Sequence, residues 1–363
     1  MLIKKIRLEN FRNYDSLDLS FTDGINYIYG KNGQGKTNII EAIYMFAALK
    51  SHRVNHDYEM IKEEKEFARI EMDFCNKERD FYASISLSRS ENRKITVNEI
   101  KTARNSDLIG KFNAVIFSPE DFSIIKDGPS ERRRFTDIAI SQIKPNYFKC
   151  LLKYKELIKQ KNIILRENSG FSAMLDIYNE SIAQTAADII FYRSNFYNFI
   201  SEKVGFIHKM VTLTTDKFEI KYEPCIEVKD RRKMAREILN KLEKIKDKEI
   251  LERTSIFGPH REDVSFYING KKIKEYASQG QQRTAILILK LAQAEYIKEK
   301  TGEYPVLLLD DIMSELDSDR RRYFMKEIKD KQVIITSTDK GSFGRRKDTK
   351  LILIDKGKVK NIF

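Results

Sequence analysis

A segment close to the N-terminus has the residue types and spacing of a phosphate-binding loop. The sequence of Gly30–Thr37 is GKNGQGKT, which fits the pattern GxxxxGK[ST]. Its glycines let the backbone curl so that amides point at a phosphate, Lys36 reaches the β- and γ-phosphates, and the Thr37 hydroxyl binds Mg²⁺. An apolar strand over 25–29 and a helix over 36–49 flank the loop, as this chemistry requires. The residues that we assign to ATP here are Gly30, Lys31, Asn32, Gly33, Gln34, Gly35, Lys36 and Thr37.

A second chemical signal is an apolar run that ends in two acids. Residues 306–311 read VLLLDD, the pattern of a buried strand that ends at Asp310. There the Asp310 carboxylate can hold the hydration shell of Mg²⁺ beside the phosphate loop, and Asp311 can orient or deprotonate the attacking water. Two exposed acids at a strand end are the alternative. We assign catalysis to Lys36, Asp310 and Asp311 and metal binding to Thr37 and Asp310.

A third segment, 277–284, reads ASQGQQRT and precedes a long apolar helix. A serine and a glycine at a helix start can offer a hydroxyl and backbone amides to an anion. A serine that only caps the helix has the same pattern, and by itself this segment favours that simpler interpretation.

The bulk composition excludes several classes of protein. The chain has 363 residues, 41% hydrophobic residues, 22 Phe and 17 Tyr, enough to bury two cores. Three scattered cysteines without a CxxC pair argue against structural zinc and disulfides. His52 and His56 stand at helical spacing, which we interpret as a surface pair. Without a signal peptide or an apolar run of about 18 residues, we expect a cytoplasmic protein that does not bind membranes.

The chain is basic, with 67 Lys and Arg against 54 Asp and Glu and a net charge of +13. This excess favours contact with polyanions such as nucleic acids, although a solvated surface rich in Lys and Glu has a similar composition. The clusters that we consider for DNA phosphates are Arg132, Arg133 and Arg134; Arg231, Arg232 and Lys233; Arg320, Arg321 and Arg322; and Arg345, Arg346 and Lys347. No recognition helix or zinc finger accompanies them, so binding would not depend on base sequence.

Hydrophobic patterning predicts an α/β fold. Strands are expected over 2–9, 17–21, 25–29, 67–75, 80–88, 114–117, 211–222, 305–310, 333–337 and 351–355. Helices are expected over 36–49, 148–165, 173–204 and 229–252. Apolar strands with helices between them indicate a largely parallel sheet covered on both faces. We predict that 1–120 and 300–363 form an ATPase lobe I, and that 121–299 form an inserted, mainly helical lobe II carrying the segment 277–284.

Taken together, these segments resemble an ABC-type ATPase head. The phosphate loop, the LSGGQ-like ASQGQ and the acid-ended strand followed by SELD at 314–317 form its motif set. The opening IRLENFRNYDSLDLSF, residues 6–21, is similar to the start of SMC-related ATPases. The segments 117–137, 258–263 and 307–322 resemble the RecF family in particular, and the chain is identified as a member of that family over its whole length.

This resemblance implies how ATP is held. In ABC-type heads a nucleotide lies between the phosphate loop of one subunit and the signature of another. Ser278, Gly280 and Gln281 would then contact the γ-phosphate bound to a second copy, so that ATP joins a homodimer. Asp317 would lie in the D-loop near the partner's site. Within ASQGQ, however, Ala and Gln replace the Leu and the first Gly of the usual signature.

Three further departures concern hydrolysis. Asp311 is one methylene shorter than the usual glutamate, Thr338 stands at the position of the switch histidine, and Glu120 or Asp121 replaces the Q-loop glutamine. Because these changes hold the water less well in line, we expect a weak, DNA-stimulated ATPase.

The resemblance also implies a role and partners. RecF proteins act with RecR to load the RecA recombinase, so we expect an ATP-dependent clamp on single- and double-stranded DNA near gaps. Its slow hydrolysis would reset the clamp during gap repair, replication restart and SOS induction. The alternatives are the ATPase subunit of a membrane transporter, an SMC-type tether and a head fused to a nuclease. The basic charge opposes the first, the short insertion the second, and the missing extra acid cluster the third.

Overall fold

The computed structural model describes residues 1–167, 172–212, 216–315, 317–338 and 349–362. Its strands are β1 (Leu2–Phe11), β2 (Tyr14–Ser20), β3 (Ile25–Tyr29), β4 (Phe67–Cys75), β5 (Asp80–Ser88), β6 (Lys94–Val97), β7 (Ile100–Lys101), β8 (Ala114–Phe117), β9 (Phe218–Glu223), β10 (Asp263–Ile268), β11 (Lys271–Lys272), β12 (Val306–Asp310), β13 (Val333–Ser337), β14 (Thr349–Asp355) and β15 (Lys358–Ile362).

The α-helices are α1 (Lys36–Ala48), α2 (Ser123–Lys126), α3 (Pro129–Ser141), α4 (Pro145–Glu167), α5 (Ser172–Thr212), α6 (Arg231–Lys244), α7 (Lys246–Glu252), α8 (Ile273–Tyr276), α9 (Gln279–Thr301) and α10 (Ser318–Glu327). Short 3-10 helices cover Asp57–Met60, Asn105–Leu108, Pro119–Phe122 and Ile312–Glu315. Among the helices so described, none is both long and apolar enough to cross a membrane.

Two six-stranded sheets and one three-stranded sheet organise these elements. The first, in the order β2-β1-β4-β5-β6-β7, is antiparallel. The second, in the order β15-β14-β3-β13-β12-β8, is parallel except for the pairing of β15 with β14. Strands β3, β12 and β13 are buried along their whole length, which explains their continuous apolar sequences. The predicted α/β head with its largely parallel sheet is confirmed.

The chain divides into two compact units. Unit 1 contains Met1–Phe122, Phe206–Thr215 and Arg283–Phe363, and unit 2 contains Ser123–Gly205 and Asp216–Gln282. The sequence limits for lobe II, 121–299, therefore differ at the C-terminal end, because the body of α9 belongs to unit 1. Lys290 of α9 forms a nearly buried ion pair with Asp121 at 2.5 Å, and the Arg283 guanidinium lies over the Phe122 ring at 5.6 Å.

Unit 2 combines helices α2 to α8, of which α5 belongs to it only as far as Gly205, with the antiparallel sheet β11-β10-β9. Two of the segments that resemble RecF meet here in buried ion pairs. Arg132 Nε is 2.7 Å from Asp263 Oδ1, and Arg193 contacts Asp137 at 2.9 Å and Glu262 at 3.1 Å. These segments thus stabilise the interior of unit 2, and breaking such a pair costs about 3–5 kcal/mol.

Two predicted element boundaries were wrong. A strand was expected over 211–222, but α5 continues to Thr212 and the strand covers only Phe218–Glu223. The helix continues because Ile200, Val204, Ile207 and Val211 repeat at helical spacing and are all buried. The charged segment predicted as one helix over 229–252 forms α6 and α7, since Ile245 (φ −103°, ψ 3°) leaves the helical conformation between them.

Candidate nucleotide site

The parallel strands of the second sheet bring the predicted nucleotide residues to one edge. Strand β13 lies between β3, which leads into the phosphate loop, and β12, which ends at Asp310. In register, Tyr29 pairs with Ser337 and Asp310 pairs with Thr336. Because parallel strands end at the same edge, the loop and the acid face one another across a single strand, where ligands of open α/β sheets bind.

The backbone of the loop requires glycine at two positions. Gly30 has φ 153°, and a Cβ there would lie 2.2 Å from the carbonyl oxygen of Ile354. Gly35 has φ 102°, and a Cβ there would lie 2.7 Å from the Tyr14 hydroxyl. Both combine a left-handed conformation with a close neighbour, so a side chain would have to displace the β14 backbone at Gly30 and the Asn13 and Tyr14 side chains at Gly35.

Lys36 is held against the loop that precedes it. Its ammonium donates to the carbonyl oxygens of Gly30 at 2.7 Å and Lys31 at 2.9 Å. Burial lowers the pKa of Lys36, whereas the carboxylates of Asp311 and Asp310 raise it. A cation so placed can neutralise phosphate charge without entering bulk water.

Asp310 and Thr37 form the donor pair that Mg²⁺ would need. Thr37 Oγ1 donates to Asp310 Oδ1 at 2.9 Å, and Thr336 Oγ1 of β13 donates to the same oxygen at 2.6 Å. Burial raises the pKa of Asp310, and the two hydroxyls oppose that shift by stabilising the carboxylate. One hydroxyl and one carboxylate, completed by phosphate oxygens and water, suit Mg²⁺, so the residues fit the ion.

Asp311 lies directly after the strand in a different backbone conformation. Its φ is 53°, in the left-handed region that Asp and Asn tolerate better than most residues. Its amide donates to Thr336 Oγ1 at 3.1 Å, so one buried threonine positions both acids. Sequence reasoning missed this role of Thr336; Thr338, predicted for the switch position, is exposed one residue after β13 ends. The available signal was a polar residue inside the apolar strand VIITS.

A chain of amide hydrogen bonds connects the phosphate loop to the turn between β1 and β2. Asn13 Nδ2 donates to the carbonyl oxygen of Gln34 at 3.2 Å, and Asn38 Nδ2 donates to Asn13 Oδ1 at 2.8 Å. Arg53 Nη1 donates to Asn38 Oδ1 at 3.0 Å. Residues 6–21, which resemble SMC-related ATPases, therefore help to fix the loop.

Glu41 is a buried centre that the sequence analysis overlooked. Its carboxylate, with no exposed surface, accepts two hydrogen bonds from the Arg12 guanidinium at 2.7 and 2.9 Å and one from Ser51 at 2.5 Å. Burial opposes ionisation, but these partners hold the pKa of Glu41 below its usual value. It joins α1 to the segments on either side, and its only sequence signal was an acid among the apolar residues of α1.

An open cleft adjoins this network. It has a volume of about 730 Å³ and is lined by Arg12, Asn13, Asn38, Arg53 and Tyr58, among others. This volume lies within the range of small-molecule sites, about 300–1,000 Å³. Amides, guanidinium groups and an exposed aromatic ring offer both hydrogen bonds and a stacking surface beside the phosphate loop.

The two candidates for the Q-loop position differ in their environment. The Asp121 carboxylate has a structural role, because it forms an ion pair with Lys290 at 2.5 Å and accepts a hydrogen bond from the Ser118 amide at 2.8 Å. Glu120 is exposed, and its charge raises the pKa of Asp310 in addition to the effect of burial. Glu120 is therefore the better candidate at this position.

His52 is not the surface residue that its spacing indicated. Both ring nitrogens are buried and find no hydrogen-bond partner among the residues that the structure describes, and the ring packs edge-on against Tyr44 at 5.8 Å. Burial lowers the pKa of His52 to about 4, so the ring is neutral at physiological pH.

Comparison with known proteins identifies the family. The family model for the RecF/RecN/SMC N terminal domain matches residues 2–360. A protein named DNA replication and repair protein RecF from Alkaliphilus oremlandii is 39% identical over 341 residues, covering 93% of each chain. Its namesake from Ruminiclostridium cellulolyticum is 42% identical over 352 residues, covering 95% of this chain and 94% of that one. This chain belongs to the RecF family.

Solved structures agree with this assignment. The structure of the recombination mediator protein RecF with ATP in the RecFOR pathway superposes with a TM-score of 0.92 at 35% identity and covers 99% of this chain and 98% of that one. An Smc head domain from Pyrococcus furiosus matches with a TM-score of 0.56 at 16% identity, which shows a shared fold. The RecF family is one of DNA replication and repair proteins with an ABC-type ATPase head, so the transporter and nuclease alternatives are not supported.

The predicted signature residues lie in unit 2, where Ser278 and Gln281 form a reciprocal helix cap. The Ser278 amide donates to Gln281 Oε1 at 2.9 Å, and the Gln281 amide donates to Ser278 Oγ at 3.2 Å. This capping box begins the 23-residue helix α9. Ser278 is exposed and Gly280 and Gln281 are half-buried, so the serine caps its own helix and remains accessible.

Of the ten arginines that the sequence singled out for DNA, eight lie in the described residues, and five of these are paired with acids there. The pairs are Arg132 with Asp263, Arg134 with Glu131, Arg231 with Asp188, Arg320 with Asp317 and Arg322 with Asp319. Asp317 also caps α10 by accepting from the Arg320 amide at 2.9 Å. The cluster Arg345, Arg346 and Lys347 lies outside the described residues.

Proposed function

We propose that this chain binds ATP with Mg²⁺ at Gly30–Thr37 and Asp310, and that ATP joins two copies into a clamp on DNA. The contact between Thr37 and Asp310, 273 positions apart and 2.9 Å from atom to atom, carries this proposal. It supports a magnesium-nucleotide site because the hydroxyl and the carboxylate lie where the phosphate loop and the acid-ended strand meet. The similar RecF structure with ATP supports the same ligand.

The dimer is proposed from the signature. Ser278, Gly280 and Gln281 stand at the start of a long helix, where amides and the positive end of the dipole favour an anion. The accessible cap of one copy would contact the γ-phosphate on the other, and Asp317 would lie near the same interface. Gln281 already orients the Ser278 turn through the reciprocal cap, so little reorganisation is needed on closure.

Hydrolysis is proposed to be weak and stimulated by DNA. Asp311 would orient or deprotonate the water, Lys36 and Mg²⁺ would stabilise phosphate charge, and Asp310 would hold the ion. Asp311 in place of the usual glutamate and Thr338 in place of the switch histidine would hold the attacking water less firmly. Hydrolysis would therefore be slow, and its rate would set how long the dimer stays closed. Hydrolysis would reopen the dimer.

The biological role follows from the family. We propose that the clamp acts in the bacterial cytoplasm on single- and double-stranded DNA at gaps, with RecR as its partner in loading RecA. That activity would support gap repair, replication restart and SOS induction.

The test is the size of the protein in solution with ATP or ADP, with and without gapped DNA. The wild type should dimerise only with ATP and then bind DNA, whereas Lys36→Met should remain monomeric. Lys101→Met, at an exposed position of β7, is the matched control and should behave as the wild type. Identical elution of all proteins under all conditions would refute the proposal.

A further inference from the structure

Helix α4 of unit 2 carries an excess of positive charge. Its 23 residues include six Lys and Arg and two Glu. Lys161 is buried and paired with Glu249 at 2.6 Å, so it is neutralised within the fold. Lys149, Lys153, Lys155 and Lys159 are exposed, and within the described part of the chain no ion pair involves any of them.

One of these lysines, Lys155, lines a cavity that the cation Arg133 also lines. The cavity measures about 200 Å³, and the ion pair of Arg193 with Asp137 at 2.9 Å also contributes to its lining. Leu151 and Ile158 of α4 form part of its apolar surface. Lys159 lies one helical turn beyond Lys155, about 6 Å along the axis, and continues the same row.

The Arg133 guanidinium is the second, independent feature of this cavity. It is half-buried and donates to the Glu262 carbonyl oxygen at 2.7 Å, but no carboxylate of the described residues lies within ion-pairing distance. The nearby carboxylates of Asp137 and Glu262 form ion pairs with Arg193 instead. A partly buried cation without its own counter-ion favours an anionic ligand, since its desolvation is otherwise uncompensated.

We infer that Arg133, Lys155 and Lys159 form a binding surface for the phosphodiester backbone of DNA. This inference rests on the proposed DNA-binding function and locates it on α4 rather than on the arginine clusters. Arg133 would hold one phosphate at the cavity, and the two lysines would follow the backbone along the helix. Flexible lysines in one row attract DNA phosphates strongly and in a salt-dependent way, without contacting the bases that specify sequence.

Helix α4 supplies a matched control for this surface. Lys149 and Lys153 are also exposed, but with 3.6 residues per turn they project from the side of α4 opposite Leu151. Neither contributes to the cavity. The variants K155Q/K159Q and K149Q/K153Q therefore remove the same charge from the same helix on different faces.

The experiment measures affinity for a fluorescent gapped duplex, with ATP and Mg²⁺, between about 50 and 200 mM salt. K155Q/K159Q should bind roughly 10- to 30-fold more weakly near physiological salt, and its salt slope should fall by about 1.8, as expected when two phosphate contacts are lost. K149Q/K153Q should keep the wild-type slope. ATP-dependent dimerisation, measured in parallel without DNA, should be unchanged in both variants.

The outcomes separate the two claims. Wild-type protein that fails to bind the duplex overturns both the proposed function and the surface. Tight wild-type binding that K155Q/K159Q leaves unchanged, or that both double variants weaken equally, overturns the surface alone. Arg133→Gln is a supporting variant, and its unfolding midpoint must be measured because it also loses the hydrogen bond to Glu262.

Discussion

Asp310 and Asp311 are neighbours in the chain, yet they differ in backbone conformation and in hydrogen-bond partners. Asp310 ends a buried strand, and two hydroxyls, from Thr37 and Thr336, fix one of its carboxylate oxygens. Asp311 turns out of the strand with φ 53° and is anchored through its amide. This difference supports the proposal that Asp310 holds Mg²⁺ and that Asp311 contacts the water that attacks ATP.

Replacing Asp311 with Asn should separate hydrolysis from binding. Asparagine has the same shape and tolerates the left-handed conformation, so folding and ATP-dependent dimerisation should persist. Phosphate release in a single turnover should fall by about 10²- to 10⁴-fold, the usual contribution of a general base.

The control for this experiment is Asp310→Asn, which should instead weaken magnesium-dependent nucleotide binding. Wild-type turnover in Asp311→Asn would show that another group orients the water.

At the level of elements, the phosphate loop depends on what packs behind it. Gly30 approaches the carbonyl of Ile354 in β14. Gly33 is also left-handed, at φ 75°, but a Cβ added there would meet no atom within 4 Å. The two glycines share a conformation that disfavours side chains, yet their steric surroundings differ.

Alanine at these two glycines should expose this difference. Gly33→Ala should cost about 1–2 kcal/mol of unfolding free energy, from the left-handed conformation alone. Gly30→Ala should cost more, because the backbone of β14 must also move. Urea denaturation without nucleotide measures both, and equal losses would contradict the steric argument.

The loop before β10 should make stability depend on pH. His260 Nδ1 lies 2.6 Å from the Tyr154 hydroxyl, and burial lowers the pKa of His260 from 6.5 to about 4. Below pH 6.5 the imidazole of His260 binds a proton in the unfolded chain but not in the folded chain. The free energy of unfolding should therefore fall as the pH drops from 6.5 to 4.

His260→Gln should remove part of that loss, on the order of 2 kcal/mol after allowance for partial solvent access. The unfolding free energy at pH 7 and pH 4 gives the comparison. His52 remains as a second buried histidine, so some acid sensitivity should persist. An unchanged pH dependence in the variant would show that His260 titrates normally.

At the scale of the whole molecule, the proposed ATP site draws on two chains. Lys36→Met removes the phosphate-loop cation, and Ser278→Arg blocks the signature. Neither variant alone should dimerise with ATP. An equimolar mixture should form dimers and regain ATPase activity, because one composite site then combines an intact loop with an intact signature.

Each variant incubated alone is the control for this mixture. A mixture as inactive as its components would mean that the loop and the signature do not act across two chains.

Much of the fold and of the candidate nucleotide site could be predicted from contiguous residues. The sequence predicted the phosphate loop, the acid-ended strand and the parallel sheet, because each depends on local composition or on the periodicity of a single element. The same local rules missed the end of α5, because the residues predicted as a strand continue the helix. They also missed the break at Ile245, because one continuous charged pattern covers two helices.

Only the tertiary structure decided which polar groups find partners. Thr336 reaches Asp310 across neighbouring strands, and Arg12 reaches Glu41 from another element. Arg132 is neutralised by Asp263, 131 positions away, while Lys155 is left exposed. The sequence determines which residues are ionisable, but the desolvation and the counter-ion of each one depend on segments that meet only when the chain folds.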